Sequence, residues 1–300
     1  MKYVDEVIEL SEAGMARTMA GGWDYVYSLS NDLTSASLAT LAYATNEPVG
    51  YFMDRGIITP SNAAARSWLE MAAFDDVKRR NGRSYQELMS AIVDAPDEPV
   101  PRPALDVPQS VQTAAGARVD ALFAGARRSR IAINLGSGGR WPKKMLDVDQ
   151  VIRLVGLLRA RIDGDVLLVG GAAEREKAAL VAAAYSDDAH VQAALTDSSI
   201  AEFVAILMQV DALLCGDTLA LHIATAVNLP TVAIFGPTSI AEIPEFDGLI
   251  VKTATRELDC LGCYGDCSKP KHCMSLLELD TLVGLIGRQL SRQARPLIAG

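Results

Sequence analysis

From residue 129 to residue 239 the chain alternates short, mainly apolar runs with longer stretches whose apolar positions recur at three- and four-residue spacing. The runs 130–135, 165–169, 191–195, 210–215 and 231–235 have the length of strands buried on both faces. The stretches between them have the period of helices. Val148, Val151, Ile152, Val155 and Leu158 fall on one face of a helix running to about residue 162. Asp147, with Gln150 three residues on, predicts a capping box at its start. Further helices are predicted over 173–184, from 200 to about 210 and over 219–227, with a last amphipathic one at 281–293. Strands alternating with helices in this way predict an α/β fold built on a doubly wound parallel sheet.

The first 95 residues are less regular. Residues 4–10 and 23–29 have strand character, with a helix over 11–20 between them. Helices are predicted at 35–44, 62–73 and 84–93, and 50–60 reads as irregular. Between residues 95 and 108 stand Pro96, Pro99, Pro101, Pro103 and Pro108, which exclude a helix or a central strand and predict an extended linker. The expected organisation is a domain over 1–95, a proline-rich linker over 96–108 and a domain over 109–300.

Composition changes the picture in three respects. Twenty-eight basic against 37 acidic residues argue against a nucleic-acid binder, which would present a basic face, yet leave room for a small anion. The charged N-terminus is not a signal peptide, and no window approaches the ~18 apolar residues of a membrane span. A cytoplasmic location is therefore expected, and peripheral membrane contact is compatible with it. In that compartment Cys260, Cys263, Cys267 and Cys273, spaced C-x2-C-x3-C-x5-C, favour a closed structural zinc or iron site over two disulfides in any of three pairings. Cys215 lies inside a predicted strand and is expected to be inert.

Three polar turns follow predicted strands at 136–144, 216–222 and 236–239. In a parallel sheet such turns share one edge, where ligands bind. Neither the dinucleotide glycine fingerprint nor a P-loop is present, so each turn alone reads as a tight connection. Three together, with Lys143 and Lys144 beside one, favour a diphosphate site. Asp217 is either a ligand contact or a helix N-cap, and His222, one turn after Thr218, is either a ligand contact or a packed histidine.

The runs GDTLALHIA and LPTVAIFGPTS, with the upstream LGSGGRWPKK and LLVGG and the later CLGCYGDC, resemble glycosyltransferase family 9, the ADP-heptose:lipopolysaccharide heptosyltransferases and their relatives. The resemblance extends over nearly the whole chain from Val4 and points to a subgroup with a cysteine cluster. It implies a GT-B fold of two Rossmann-like domains, with the nucleotide-sugar donor held by the C-terminal one, and inverting transfer without a catalytic metal. Asp217, Thr218 and His222 match the family's D-T-x-x-x-H; Lys144, or Lys143 in an alternative alignment, matches its phosphate-neutralising lysine. Ser137 matches a hydroxyl in the same loop, Thr238 belongs to the F-G-P-T turn, and the nucleobase slot is expected near 196–199. Leu219 stands where many members have glycine.

The family's first strand and Gly-Asp loop, which carries the base, have no counterpart, so the N-terminal domain is expected to be incomplete. Either Met1 is an internal start or that half is remodelled; Asp24 and Asp32 are the acidic residues near the expected position, and neither is assigned as base. The implied activity is transfer of a sugar, heptose in this family, from an ADP-heptose-like donor to a saccharide or glycolipid acceptor of lipopolysaccharide type. The second reading is a nucleotide-sugar-binding protein that has lost its base.

Overall fold

The computed structural model describes residues 4–95, 101–123, 125–137, 142–197, 199–256, 258–265 and 267–293. It separates into two compact units, Met1–Val100 with Ala241–Ile243, and Pro101–Ile240 with Pro244–Gly300. The predicted linker falls at their boundary; its residues 96–100 lie outside the described set, and 101–107 have no regular structure.

In the first unit, α1 (Glu12–Ala20) is capped by Ser11, whose hydroxyl accepts the Gly14 N–H at 3.1 Å. It is followed by β1 (Tyr27–Ser28) and α2 (Leu33–Leu41), then β2 (Val49–Asp54) and β3 (Ile57–Pro60). α3 (Ala63–Ala73), α4 (Asp75–Arg80) and α5 (Tyr85–Ile92) complete it. The sheet runs β1-β2-β3, parallel then antiparallel. Tyr51 centres its core among Ala36, Ala65, Met71, Leu88 and Ile92, its hydroxyl donating to the Ala65 carbonyl at 2.9 Å.

Two expectations fail here. Residues 50–60 are a hairpin, not an irregular stretch. Arg55 and Gly56 both take positive φ, 48° and 80°, which gives a two-residue turn matched to strand twist. Residues 4–10 form no strand: Val4, Val7 and Leu10 are exposed and lack the ladder partners that an apolar run needs to become one. The strand expected over 23–29 shrinks to β1 and a single bridge, Trp23 to Ala44. Gly50 lets β1 and β2 approach. A Cβ there would sit 2.0 Å from the Ser28 carbonyl oxygen at a φ of +102°. Gly50→Ala should destabilise this unit by about 2 kcal/mol or more, read from urea denaturation; an unchanged midpoint would refute it.

The second unit begins with α6 (Gln109–Leu122), then β4 (Ser129–Asn134), a 3-10 turn (Pro142–Lys144) and α7 (Val148–Arg161). β5 (Gly164–Gly170) leads through a 3-10 turn (Ala172–Glu174) into α8 (Arg175–Ala184). β6 (Val191–Leu195), α9 (Ile200–Leu207), β7 (Ala212–Gly216), α10 (Leu219–Ala226) and β8 (Thr231–Phe235) follow. β9 (Ile250–Ala254), a 3-10 turn (Met274–Leu276) and α11 (Leu279–Gln293) close it. The capping box forms as read: Asp147 Oδ1 accepts the Gln150 N–H at 2.8 Å and Gln150 Oε1 the Asp147 N–H at 3.1 Å.

All strand pairs are parallel, in the order β6-β5-β4-β7-β8-β9. β5, β7 and β8 are buried throughout, as their largely apolar runs require. The chain winds outward in one direction from β4 and in the other from β7. The switch point therefore lies between these two strands, where α/β sheets bind ligands beyond the carboxyl ends. β9 escapes the apolar pattern because it is a half-exposed edge strand containing Lys252 and Thr253.

Candidate functional site

β4 ends in Asn134, a buried polar residue closing an apolar strand. Its Nδ2 donates to the Gly136 carbonyl at 2.7 Å and to Thr218 Oγ1 at 3.3 Å, which ties the turn after β4 to the turn after β7 across the switch point. A cavity of about 450 Å³ opens there, lined by Ser137, Gly171, Glu174, Thr196, Asp197 and Thr218 on its polar side and by Ile200, Phe203 and Leu219 on its apolar side. Two of the expected donor residues, Ser137 and Thr218, thus line it. So do Thr196, Asp197 and Ser199 from the expected nucleobase slot. Ser198, Gly138 and Gly139 lie outside the described residues.

Lys144 and Asp217 meet beside this cavity. Lys144 Nζ lies 3.1 Å from both the Asp217 carbonyl and its Oδ2, and both side chains are largely buried. Lys143 instead donates to the Cys267 carbonyl, so of the two lysines it is Lys144 that reaches the turn after β7. Asp217 is not the N-cap of α10. Thr218 holds that position without a side-chain cap bond, its hydroxyl being taken by Asn134. The first amides of α10 are therefore not closed off by a cap. His222 stands on an exposed face of α10 and does not line the cavity.

Sequence reasoning missed Asn134 and Glu174. Glu174 Oε2 accepts the Gly171 N–H at 2.8 Å, and a Cβ on Gly136 would fall 2.1 Å from its Oε1. The carboxylate thus fills the space between the turns after β4 and β5. A polar residue ending an apolar strand, and an acid just past Gly170-Gly171, were the available signals.

Thr238, in the turn after β8, is 5% exposed, and its Oγ1 has no hydrogen-bond partner among the described residues. The cysteine segment folds onto this turn. Gly262 N–H donates to the Gly236 carbonyl at 2.9 Å, Tyr264 N–H to the Pro237 carbonyl at 2.7 Å, and Ser239 N–H to Tyr264 Oη at 3.1 Å. Cys273 packs so closely that a Cβ on Gly236 would meet its Sγ at 2.4 Å.

All five cysteines are free thiols, so neither disulfide of the alternative reading is formed. Burial pushes the Cys273 thiol up, and Cys263 and Cys267 nearby push it further. Among the described residues no three His, Cys, Asp or Glu side chains are grouped as a metal ion requires. Cys215 is fully buried and its thiol is pushed far up by desolvation. In chelator-treated native protein Cys260, Cys263 and Cys267 should react with a thiol reagent, and Cys215 only after unfolding; a Cys215 labelled as fast as the others would contradict its burial.

Asp32 is committed to capping α2. Ser30 and Ser35 hydroxyls each donate to its Oδ2 at 2.6 Å and the Ser35 N–H to Oδ1 at 2.9 Å, which holds its carboxyl well below the usual range. A general base works best near the operating pH, so this carboxylate is a poor one.

The model of glycosyltransferase family 9 (heptosyltransferase) matches residues 15–271. The chain belongs to this family. Among solved structures it resembles E. coli ADP-heptose LPS heptosyltransferase II at 17% identity and a TM-score of 0.65, covering 94% of this chain and 81% of that one. A family 9 glycosyltransferase from Veillonella parvula matches at 13% identity and a TM-score of 0.70, over 93% and 78%. An E. coli heptosyltransferase solved with ADP matches at 19% and 0.54, over 92% and 76%. At such identities the likeness is one of fold: α/β with a parallel sheet, as in heptosyltransferases of family 9. A search of curated proteins finds no match. No helix among the described residues is long and apolar enough to cross a membrane.

Proposed function

We propose that this family 9 glycosyltransferase transfers a sugar, heptose in the reading we favour, from a nucleoside-diphosphate donor to a hydroxyl of a saccharide or lipopolysaccharide-type acceptor. The observation that carries the reading is the cavity at the switch point between β4 and β7, lined by the uncapped start of α10, with the Lys144–Asp217 pair beside it. The heptosyltransferase solved with ADP supports ADP as the nucleotide to test. We favour a GT-B arrangement in which residues 101–293 hold the donor and the three-stranded first unit serves the acceptor.

In that site the diphosphate lies against the first turn of α10, where unpaired N–H groups and the helix dipole favour negative charge. Lys144 supplies the full positive charge, and Thr238 the unpartnered hydroxyl of the third turn. Glu174, beyond the end of β5, stands where doubly wound folds place the acid that accepts from ribose hydroxyls. The base lies against Ile200, Phe203 and Leu219.

Transfer is a single inverting displacement. The acceptor hydroxyl oxygen bonds to the anomeric carbon as the bond to the diphosphate breaks; the electron pair leaves on the diphosphate, and the hydroxyl proton passes to water. Preorganised amides and Lys144 stabilise charge where it develops, and this needs no catalytic metal. The four cysteines remain our proposed ligands for a structural zinc or iron outside this chemistry. Elemental analysis of untagged protein tests that, and less than about half an equivalent would count against it.

The reading is tested by ADP release from ADP-heptose with a lipopolysaccharide-core acceptor, alongside calorimetry with ADP alone. Turnover supports it. The absence of both turnover and ADP binding would overturn it.

A further inference from the structure

The connection from β4 to α7 runs from Leu135 to Asp147, far longer than the ~2–6 residues usual between a strand and its helix. It carries Ser137 at one end and Lys144 at the other. Ser137 and Lys144 both belong to the donor site proposed above, so their placement depends on how the two described ends of this connection are held.

We infer that Lys177 is a positioning residue that staples this loop for donor binding, an inference that rests on the donor site proposed above. Lys177 stands on the first turns of α8, three residues after Glu174. Its Nζ donates to the Leu135 carbonyl at 3.1 Å, where β4 ends, and also to the Leu146 carbonyl, immediately before the cap of α7. One ammonium thus bridges the two ends of the loop. Burial lowers its pKa, while Asp147 and Glu174 act in the opposite direction and favour the charge. A lysine removed from water in this way is held by its two carbonyls and two carboxylates together.

α8 therefore organises the cavity at two points. Glu174 fastens the turn after β5 through the Gly171 N–H, and Lys177 fastens the turn after β4 through the loop's ends. Lys177 does not line the cavity, so it acts through the loop and not on the ligand.

Calorimetry with ADP on the full chain and on Lys177→Met and Lys177→Arg tests this, with thermal melting in parallel. Lys177→Met should weaken ADP binding roughly tenfold or more, the scale of a lost charge-assisted hydrogen bond. Lys177→Arg, which can still donate to both carbonyls, should recover most of that loss. A Lys177→Met protein that melts earlier but binds ADP as tightly as wild type would reduce the residue to a structural one and overturn the inference. If Lys177→Met fails to fold, Lys177→Arg decides: affinity within about twofold of wild type supports a staple, and a loss as large as tenfold refutes it. Wild type that does not bind ADP would instead overturn the donor-site reading itself.

Discussion

Lys144→Ala should weaken ADP binding by about 10- to 100-fold while costing the fold about 1 kcal/mol or less. The two effects separate because of what Lys144 touches. Its ammonium meets Asp217 twice at 3.1 Å, and both side chains retain some exposure, 14% and 20%. Water can replace part of that pair, so the fold depends on it weakly. A diphosphate at the first turn of α10 would have no other lysine on the Asp217 turn, since Lys143 is turned towards the Cys267 carbonyl. Calorimetry and melting on the same preparation check both halves. Lys143→Ala is the control and should bind ADP within about twofold of wild type. If the two variants lose affinity equally, or Lys144→Ala loses none, the assignment is wrong.

Gly216→Ala should destabilise the protein by about 3 kcal/mol, a value set by overpacking against backbone that has nowhere to go. β7 ends at Gly216, which is buried, and a Cβ there would stand 2.6 Å from the Lys144 carbonyl oxygen and 2.8 Å from Met145 Sδ. The sulfur can move; the carbonyl belongs to the loop that carries the site. Contrast Gly136, whose added Cβ meets the Glu174 side chain first, at 2.1 Å from its Oε1. Gly136→Ala can be relieved by a rotamer change of that carboxylate, so it should weaken ADP binding more than it lowers the melting temperature. For Gly216→Ala the melting temperature should fall roughly 2–4 °C per kcal/mol in a unit of this size. A fall under about 2 °C would show that the loop yields more easily than its contacts imply.

Much of the second unit was legible because its strands are buried on both faces and its helices on one. Those conditions leave periodic traces, and the Asp147–Gln150 cap left a local one. The hairpin of β2 and β3 was missed because its signal is two positive φ angles at Arg55-Gly56, and only the glycine announces one. α4 was missed because it is short and buries no residue; its acidic first turn and basic last turn complement the dipole instead. α6 packs against α9 and is held by Arg118 to Glu202 and to the Leu195 carbonyl, partners more than 70 positions away that no local pattern reveals.

The site was legible in the same uneven way. Asp217, Thr218 and Lys144 stand in turns that a strand pattern exposes. Asn134 and Lys177 matter through partners distant in sequence, Thr218 for one and Leu135 and Leu146 for the other, so only the assembled sheet identifies them; Glu174 bonds the nearby Gly171 N–H, but the space it fills beside Gly136 is set by the neighbouring turn. The cysteines are the reverse case: their spacing is plain in the sequence, while the way Cys273 packs on Gly236 of the third turn shows only in the fold.

The strand order also governs when the molecule acquires its site as it folds. β4, β5 and β6 are neighbours in sequence and can pair early, but Ile131 of β4 pairs with Ala212 of β7, across a loop of some 80 residues. Contacts of such separation form late, because loop closure must precede the gain from pairing. The Asn134–Thr218 bond spans that same seam. A half-folded chain therefore has turns but no pocket, and a ligand of this site stabilises only those molecules in which the two halves of the sheet have already joined.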